Sequence, residues 1–105
     1  MKKILLMNFK YNSRQELQRA LIEMGITPQT FVRDVKGLEW RIGFMNDAAK
    51  TAGGTYLFKD EASVEAFLRG EIVEKMRKSK ALNDVKTEVF DIISDEMNVT
   101  RGSAS

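Results

Sequence analysis

Apolar and polar side chains alternate along four segments of this chain, which is the pattern of β-strands whose two sides have different surroundings. In the first segment, residues 3–11, both sides carry apolar residues, so we expect a central strand that is covered on both faces. The second segment, residues 35–47, contains the single tryptophan in a stripe of alternate apolar positions: Leu38, Trp40, Ile42 and Phe44. The stripe predicts a strand with one apolar and one polar side, and it puts Arg41 on the polar side, beside Glu39 or a cross-strand acid.

Two further strands are expected later in the chain. Residues 54–59 predict the third strand, and residues 46–54 predict the loop that joins it to the second strand as a hairpin. Gly53 and Gly54 would give this loop its backbone freedom. Residues 84–93 predict the fourth strand and again carry apolar residues on both sides.

The segments between the strands have the spacing of helices. Ser13 is placed to cap a first helix that ends at Gly25, and Thr27, which a proline follows, predicts a short second helical turn. Asp60 is placed to cap a further helix. Gly70 interrupts that helix before the helical pattern resumes.

The resulting order, β-α-β-β-α-β, predicts an α+β fold of the ferredoxin-like type. In this fold, right-handed crossovers place the helices on one face of a four-stranded antiparallel sheet. The other face should be polar in a monomer, yet the sheet as a whole carries large apolar residues on both sides. We therefore expect a second copy of the chain to cover it, with two sheets paired face to face in a homodimer.

The length of 105 residues corresponds to one domain, expected over residues 1–97, with a polar, flexible tail over residues 98–105. No run of about 18 apolar residues is present, so no membrane partner is expected. The apolar start is broken by Asn8 and Lys10 and lacks a small-residue cleavage site, which argues against a signal peptide and favours a cytoplasmic location. The net charge of +2 is spread along the chain, which disfavours nucleic acid as a partner.

The chain contains neither cysteine nor histidine. Without cysteine, a disulfide, a thiolate nucleophile and a cysteine-ligated metal are excluded. Without histidine, the commonest metal ligand and the commonest general base near neutral pH are missing. Any chemistry must therefore use other polar side chains, the backbone or the substrate itself.

Three segments resemble a known family: GLEWRIGFMND at residues 37–47, AGGTYLFKDEASVEAFL at 52–68 and VKTEVFDI at 85–92. They are similar to the YdhR-type family of proposed mono-oxygenases, and the likeness runs over about residues 3–93. This family belongs to the dimeric α+β barrel superfamily, so the resemblance implies a homodimer whose sheets enclose a barrel. It also implies a cavity between sheet and helices in each subunit, for a small aromatic or hydrophobic ligand.

The candidate site residues follow from the same resemblance. Related oxygenases of aromatic polyketides use Trp, Asn and Tyr side chains, so it assigns catalytic roles to Trp40, Asn46 and Tyr56. The resemblance assigns contact with the substrate to Leu38, Ile42, Phe44 and Phe58. Because the second and third strands are predicted to pair, we expect Trp40 and Tyr56 to share a pocket and the Trp40 stripe to face the subunit cavity.

The function implied is a cofactor-independent mono-oxygenase, without metal, that acts on a small aromatic or phenolic compound. A deprotonated phenol can pass an electron to dioxygen itself, and the protein needs only to bind it, stabilise the phenolate and exclude water. Each candidate also has a simpler role: Trp40 in packing, Tyr56 in the core and Asn46 in a turn. Two alternatives stay open: a non-catalytic homodimeric module that binds a ligand or a protein, and a small isomerase or cyclase.

Overall fold

The computed structural model describes residues 1–93, which form one antiparallel sheet with helices packed against it. In chain order the elements are β1 (Lys3–Lys10), α1 (Arg14–Glu23), α2 (Pro28–Asp34), β2 (Leu38–Asn46), β3 (Thr51–Phe58), α3 (Glu61–Leu68), α4 (Glu71–Lys78) and β4 (Asn83–Asp91). The strand order β2-β3-β1-β4 confirms the ferredoxin-like fold predicted from the sequence. The predicted domain end at residue 97 and the predicted tail lie outside the described residues.

Side-chain caps mark the start of helices α1, α2 and α3. The Ser13 hydroxyl accepts a hydrogen bond of 3.1 Å from a backbone N–H in the first turn of α1. Thr27 and Thr30 form a reciprocal capping box at the start of α2. The Asp60 carboxylate caps α3, and Gly70 separates α3 from α4, as the sequence predicts. None of the helices in residues 1–93 is long and apolar enough to cross a bilayer.

The hydrophobic core lies between one face of the sheet and the four helices. The strands contribute alternate, buried side chains to it, among them Leu5, Met7, Phe9, Tyr56 and Phe58. The helices contribute Leu17, Phe31, Val64, Phe67, Val73 and Met76. Since these residues form a single cluster, the helices all cover the same face of the sheet, as the crossover rule requires.

A bulge at the start of β2 changes the expected stripe of apolar residues. Leu38 lies opposite Phe58, whereas Trp40 lies opposite Leu57, which is the preceding residue of β3. Because consecutive strand residues face opposite sides of a sheet, Leu38 faces the helices and Trp40 faces away from them. The expectation that the alternate positions of residues 38–44 share one side is therefore wrong, because β2 contains one residue more than its partner strand at this point.

The face of the sheet away from the helices carries a continuous band of apolar residues, and we call it the open face. Its apolar residues are Trp40, Ile42 and Phe44 of β2, Leu57 of β3, Ile4 and Leu6 of β1, and Phe90 of β4. Trp40, Leu57, Ile4 and Phe90 are cross-strand neighbours and form one row across all four strands. Ile42 is 62% exposed, so the helices leave this second apolar side uncovered.

The third strand begins earlier than predicted, at Thr51, so Gly53 and Gly54 lie within β3 and not in the preceding loop. Gly53 has no need of special backbone freedom here, but it lies very close to β1. A Cβ atom at this position would be 2.0 Å from the carbonyl oxygen of Met7. The close approach of two strands therefore explains this glycine.

Candidate functional site

A cavity of about 320 Å³ lies between the sheet and helices α1, α2 and α4. This volume is at the lower end of the range for small-molecule sites, roughly 300–1,000 Å³. The wall is mostly apolar and includes Met7, Phe9, Leu17, Leu21, Phe31 and Met76. Two ionisable side chains, Arg41 and Tyr56, line it as well. The cavity therefore suits a small apolar molecule with few polar groups.

Arg41 lies on the side of the sheet that the helices cover, and the expectation that it occupies the polar side is wrong. It is the cross-strand neighbour of Tyr56. Its guanidinium carbon is 4.4 Å from the centre of the Phe31 ring and 5.3 Å from that of the Tyr56 ring. Glu39, one of the two kinds of partner expected for Arg41, pairs instead with Lys2 at 2.6 Å. Arg41 is thus the cation of the cavity.

Two glycines make room for this guanidinium group. Gly43 and Gly54 are cross-strand neighbours in β2 and β3. A Cβ atom on Gly54 would lie 3.2 Å from Arg41 Nε, and one on Gly43 would lie 3.2 Å from a terminal nitrogen of the same side chain. Since nine in ten real Cβ contacts are longer than this, the absence of both side chains allows Arg41 to lie close to the sheet.

Tyr56 is buried in an aromatic cluster beside Arg41. Its ring centre is 5.4 Å from that of Phe67, 5.8 Å from that of Phe31 and 6.3 Å from that of Phe58. Burial raises the pKa of the Tyr56 hydroxyl above its ordinary value of 10.0, and the guanidinium of Arg41 opposes that rise only in part. Tyr56 therefore stays protonated near neutral pH and is available as a hydrogen-bond donor.

The predicted site residues do not all meet in this cavity. Tyr56 lines it and Phe44 borders it. Phe58 packs behind Tyr56 in the core, and Leu38 packs against the same core. These two residues therefore lie behind the wall of the cavity and not on its surface.

Trp40 and Ile42 lie on the open face, away from the cavity. Trp40 and Tyr56 therefore do not share a pocket within one chain, and the expected direction of the Trp40 stripe is wrong. The reason is the pairing register, which makes Arg41 and not Trp40 the neighbour of Tyr56.

Asn46 takes part in the turn between β2 and β3. Its side-chain oxygen accepts a hydrogen bond from the Ala49 backbone N–H at 3.1 Å. The Tyr11 hydroxyl, which lies just after β1, donates a hydrogen bond of 2.6 Å to Asp47 of this turn. This bond lowers the pKa of the Asp47 carboxyl, while burial, followed by the Asp47 contact, raises the pKa of Tyr11. The side chains of Asn46 and Asp47 therefore already have hydrogen-bond partners within the protein.

A second and larger groove, of about 460 Å³, lies among α2, α3 and α4. Four of its five charged lining residues are already paired, Arg33 with Asp34 at 2.8 Å and Lys75 with Glu71 at 3.1 Å, and the fifth is Lys36. Among residues 1–93, no three acidic side chains converge in a way that could hold a metal ion. The smaller cavity, with its cation and its phenol, is therefore the candidate site.

Comparison with protein families gives one match, to the model described as "Putative mono-oxygenase ydhR", over residues 4–103. The chain belongs to the ydhR family. The resemblance seen in the sequence is confirmed at this level, and membership extends over nearly the whole chain. No curated protein sequence matches the chain.

Several solved structures have the same fold as this member of the ydhR family. A protein of unknown function from Nitrosomonas europaea is 21% identical, with a TM-score of 0.66, over 88% of this chain and 89% of its own. SnoaB, a cofactor-independent oxygenase from Streptomyces nogalater, is 12% identical, with a TM-score of 0.64, over 87% and 92%. A dimeric ferredoxin-like protein of unknown function from Jannaschia sp. is 10% identical, with a TM-score of 0.64, over 88% and 100%. At these identities the likeness shows the fold alone.

Proposed function

We propose that this protein is a homodimeric mono-oxygenase that acts without a cofactor on a small aromatic or phenolic compound held in the cavity. Membership of the ydhR family supports the class of reaction. The observation that carries the proposal is the composition of the cavity, whose apolar wall contains two ionisable side chains, Arg41 and Tyr56, in the described part of the chain. Such a site can bind an aromatic ring and exclude water.

The reaction needs no external reductant if the substrate supplies every electron. In an anthrone-type substrate, loss of a proton gives a phenolate, which passes an electron to dioxygen. The two radicals then form a carbon–oxygen bond. Loss of water from the resulting peroxide converts the CH₂ group into a carbonyl, so that one oxygen atom enters the product and the other leaves as water.

Tyr56 is the catalytic residue of this proposal. Burial raises its pKa, so its hydroxyl is protonated while the reaction proceeds and can donate a hydrogen bond to a reduced oxygen atom. Leu38 and Phe58 lie behind the wall of the cavity, and Phe44 lies at its edge with its side chain on the open face. The remaining candidates have structural roles in this proposal. Trp40 and Ile42 pack in the subunit interface, and Asn46 stabilises the turn between β2 and β3.

The homodimer in this proposal forms through the open face. The row of Trp40, Leu57, Ile4 and Phe90 crosses the whole sheet, and Ile42 and Phe44 extend it along β2. Contiguous apolar surface of this kind marks an interface. Burying it against a second copy removes it from water, which is the main favourable term in association. The dimeric ferredoxin-like protein from Jannaschia sp. has the same fold.

Oxygen uptake with a panel of anthrone- and quinol-type compounds tests the proposed reaction. We expect consumption of dioxygen in proportion to product, without added metal or flavin. The rate should rise with pH along the ionisation curve of the substrate, because the protonated phenol of Tyr56 cannot accept the substrate's proton. The absence of uptake for every compound that binds in the cavity would overturn the oxygenase assignment.

One observation favours a second candidate, a non-catalytic module that binds a hydrophobic ligand. The ionisable groups of the cavity lining are a cation and a protonated phenol, so this part of the chain provides no general base. Binding requires none, whereas an isomerase or cyclase that works by proton transfer does. Ligand binding without oxygen consumption or product formation would identify the module.

A further inference from the structure

The guanidinium group of Arg41 is incompletely satisfied in the cavity. Its Nε atom is buried and has no hydrogen-bond acceptor among residues 1–93. The ion pairs formed within this same part of the chain do not include Arg41. The Arg41 side chain is partly buried, and a buried N–H group without an acceptor is unfavourable; contacts with aromatic rings compensate for only part of that cost.

The surroundings of Arg41 provide aromatic faces and space. Phe31 and Tyr56 both lie within cation–π distance of its guanidinium group. Gly43 and Gly54 have no side chain that would displace this group. The cavity of about 320 Å³ opens beside it, and its other lining residues are mostly apolar. A planar molecule of one or two rings that carries a negative charge would therefore find an apolar wall for its rings and a cation for its charge.

The geometry points to an anionic ligand: the cavity binds a small planar aromatic compound whose oxyanion, a phenolate or a carboxylate, pairs with Arg41. The Arg41 side chain presents planar N–H donors, which match an oxyanion, and the pairing supplies the acceptor that Nε lacks. Tyr56, which is protonated, adds a second donor next to the same guanidinium. This inference rests on the proposed function, because it takes the cavity to be the substrate site.

The first experiment compares two ligands of the same shape in the wild-type protein. Naphthoate carries a carboxylate, and naphthamide replaces it by a neutral amide. Calorimetric titration under anaerobic conditions separates binding from any turnover. We expect naphthamide to bind about 10- to 100-fold more weakly, the usual effect of losing a charge-assisted hydrogen bond. Equal binding of the two ligands, or binding of neither, would overturn the inference without requiring any variant to fold.

The second experiment assigns the preference to one residue. Arg41→Met should bind naphthoate and naphthamide equally, whereas Arg41→Lys, which keeps the charge but not the planar donors, should retain part of the preference. Arg69→Met removes the same charge from an exposed position of the protein and is the matched control. A preference that survives Arg41→Met, or that Arg69→Met abolishes, would show that Arg41 does not bind the oxyanion.

A phenol provides a spectroscopic signature that a merely structural role of Arg41 would not produce. The phenolate of para-nitrophenol absorbs at longer wavelength than the phenol, so its ionisation is visible while it is bound. We expect the bound ligand to ionise at lower pH than the free ligand, and this shift should vanish in Arg41→Met. An unshifted ionisation together with a charge preference for naphthoate would restrict the site to carboxylates.

The two proposals can fail separately. Charge-selective binding without oxygen uptake would leave the oxyanion site standing and refute the oxygenase. Oxygen uptake with no preference for the charged ligand would support the oxygenase and refute the oxyanion site.

Discussion

Arg41 and Tyr56 face one another across strands β2 and β3, on the side of the sheet that the helices cover. Trp40, the residue before Arg41, therefore lies on the opposite side, opposite Leu57. This one relationship divides the aromatic residues of the hairpin into two groups. Tyr56 belongs to the cavity, and Trp40 belongs to the surface proposed for dimerisation.

Removal of the Tyr56 hydroxyl should slow oxygenation more than it disturbs the fold. We expect Tyr56→Phe to lower oxygen uptake about 100-fold, because a positioned proton donor contributes roughly that much. The ring and its aromatic contacts remain in this variant. Tyr11→Phe is the control, since Tyr11 is the other tyrosine and bonds to Asp47 away from the cavity. Equal loss of activity in both variants would contradict a catalytic role of Tyr56.

A charge on the open face should prevent dimerisation. Ile42 is 62% exposed on this face, and Ile42→Glu would place a carboxylate within the proposed interface. Light scattering at micromolar concentration should give the mass of a dimer for the wild type and of a monomer for the variant. Ile22→Glu is matched in chemistry and exposure, at 70%, but lies on α1 and should stay dimeric. A monomeric wild-type protein would refute the interface.

Trp40 fluorescence should report subunit association and not occupation of the cavity. We expect the emission maximum to shift to longer wavelength in Ile42→Glu, because the indole then faces water. Saturation of the cavity with naphthamide should leave the maximum in place, since Trp40 and the cavity lie on opposite sides of the sheet. The reverse pattern would show that the indole lines the ligand site.

The close contact between β1 and β3 should make Gly53 intolerant of substitution. Gly53→Ala would place a Cβ atom 2.0 Å from a backbone oxygen, and we expect the free energy of unfolding to fall by about 1–3 kcal/mol. Gly43→Ala meets only the end of the Arg41 side chain, at 3.2 Å, and should cost less than about 1 kcal/mol. Urea unfolding of both variants measures the difference, and an equal loss would argue against the strand contact.

The Tyr11–Asp47 hydrogen bond should contribute to stability only within a window of pH. The bond lowers the pKa of Asp47 below 3.8, so its contribution is complete above 3.8 and is lost as pH falls through the folded-state value. Burial and the same bond raise the pKa of Tyr11 above 10.0, so its contribution is complete below 10.0 and is lost as pH rises through the folded-state value.

Urea unfolding of the wild type and of Tyr11→Phe over a range of pH measures this window. The difference in their free energies of unfolding should be constant between about pH 5 and pH 9 and should shrink at both ends. A difference that stays constant down to about pH 2 would mean that Asp47 is not coupled to Tyr11.

Much of the architecture could be predicted from local patterns. Ser13, Thr27 and Asp60 cap the helices that the sequence places after them. Gly70 interrupts the helical segment that begins after Asp60, as expected. The first strand is central in the sheet, between β3 and β4, as predicted. Capping and strand alternation depend on neighbours in the chain, so a single sequence is enough to recognise them.

The candidate site was predicted less well, and Arg41 shows why. An arginine between Trp40 and Ile42 looks like a residue of the solvated side, because the flanking residues are the apolar ones. A signal was nevertheless present: if the tryptophan stripe meets a second sheet, the alternate residue must face the helices. Sequence alone does not say which of two apolar sides of a strand receives the helices.

The sequence by itself determined the family, the order of strands and helices, and the presence of apolar residues on both sides of the sheet. Only the tertiary structure decided that Arg41 joins Tyr56 in the cavity while Trp40 lies on the open face. The physical reason is the period of two in a β-strand: one extra residue at the β2 bulge exchanges the two faces for the residues that follow. A change of that size leaves the hydrophobic pattern intact and alters every contact the side chains make.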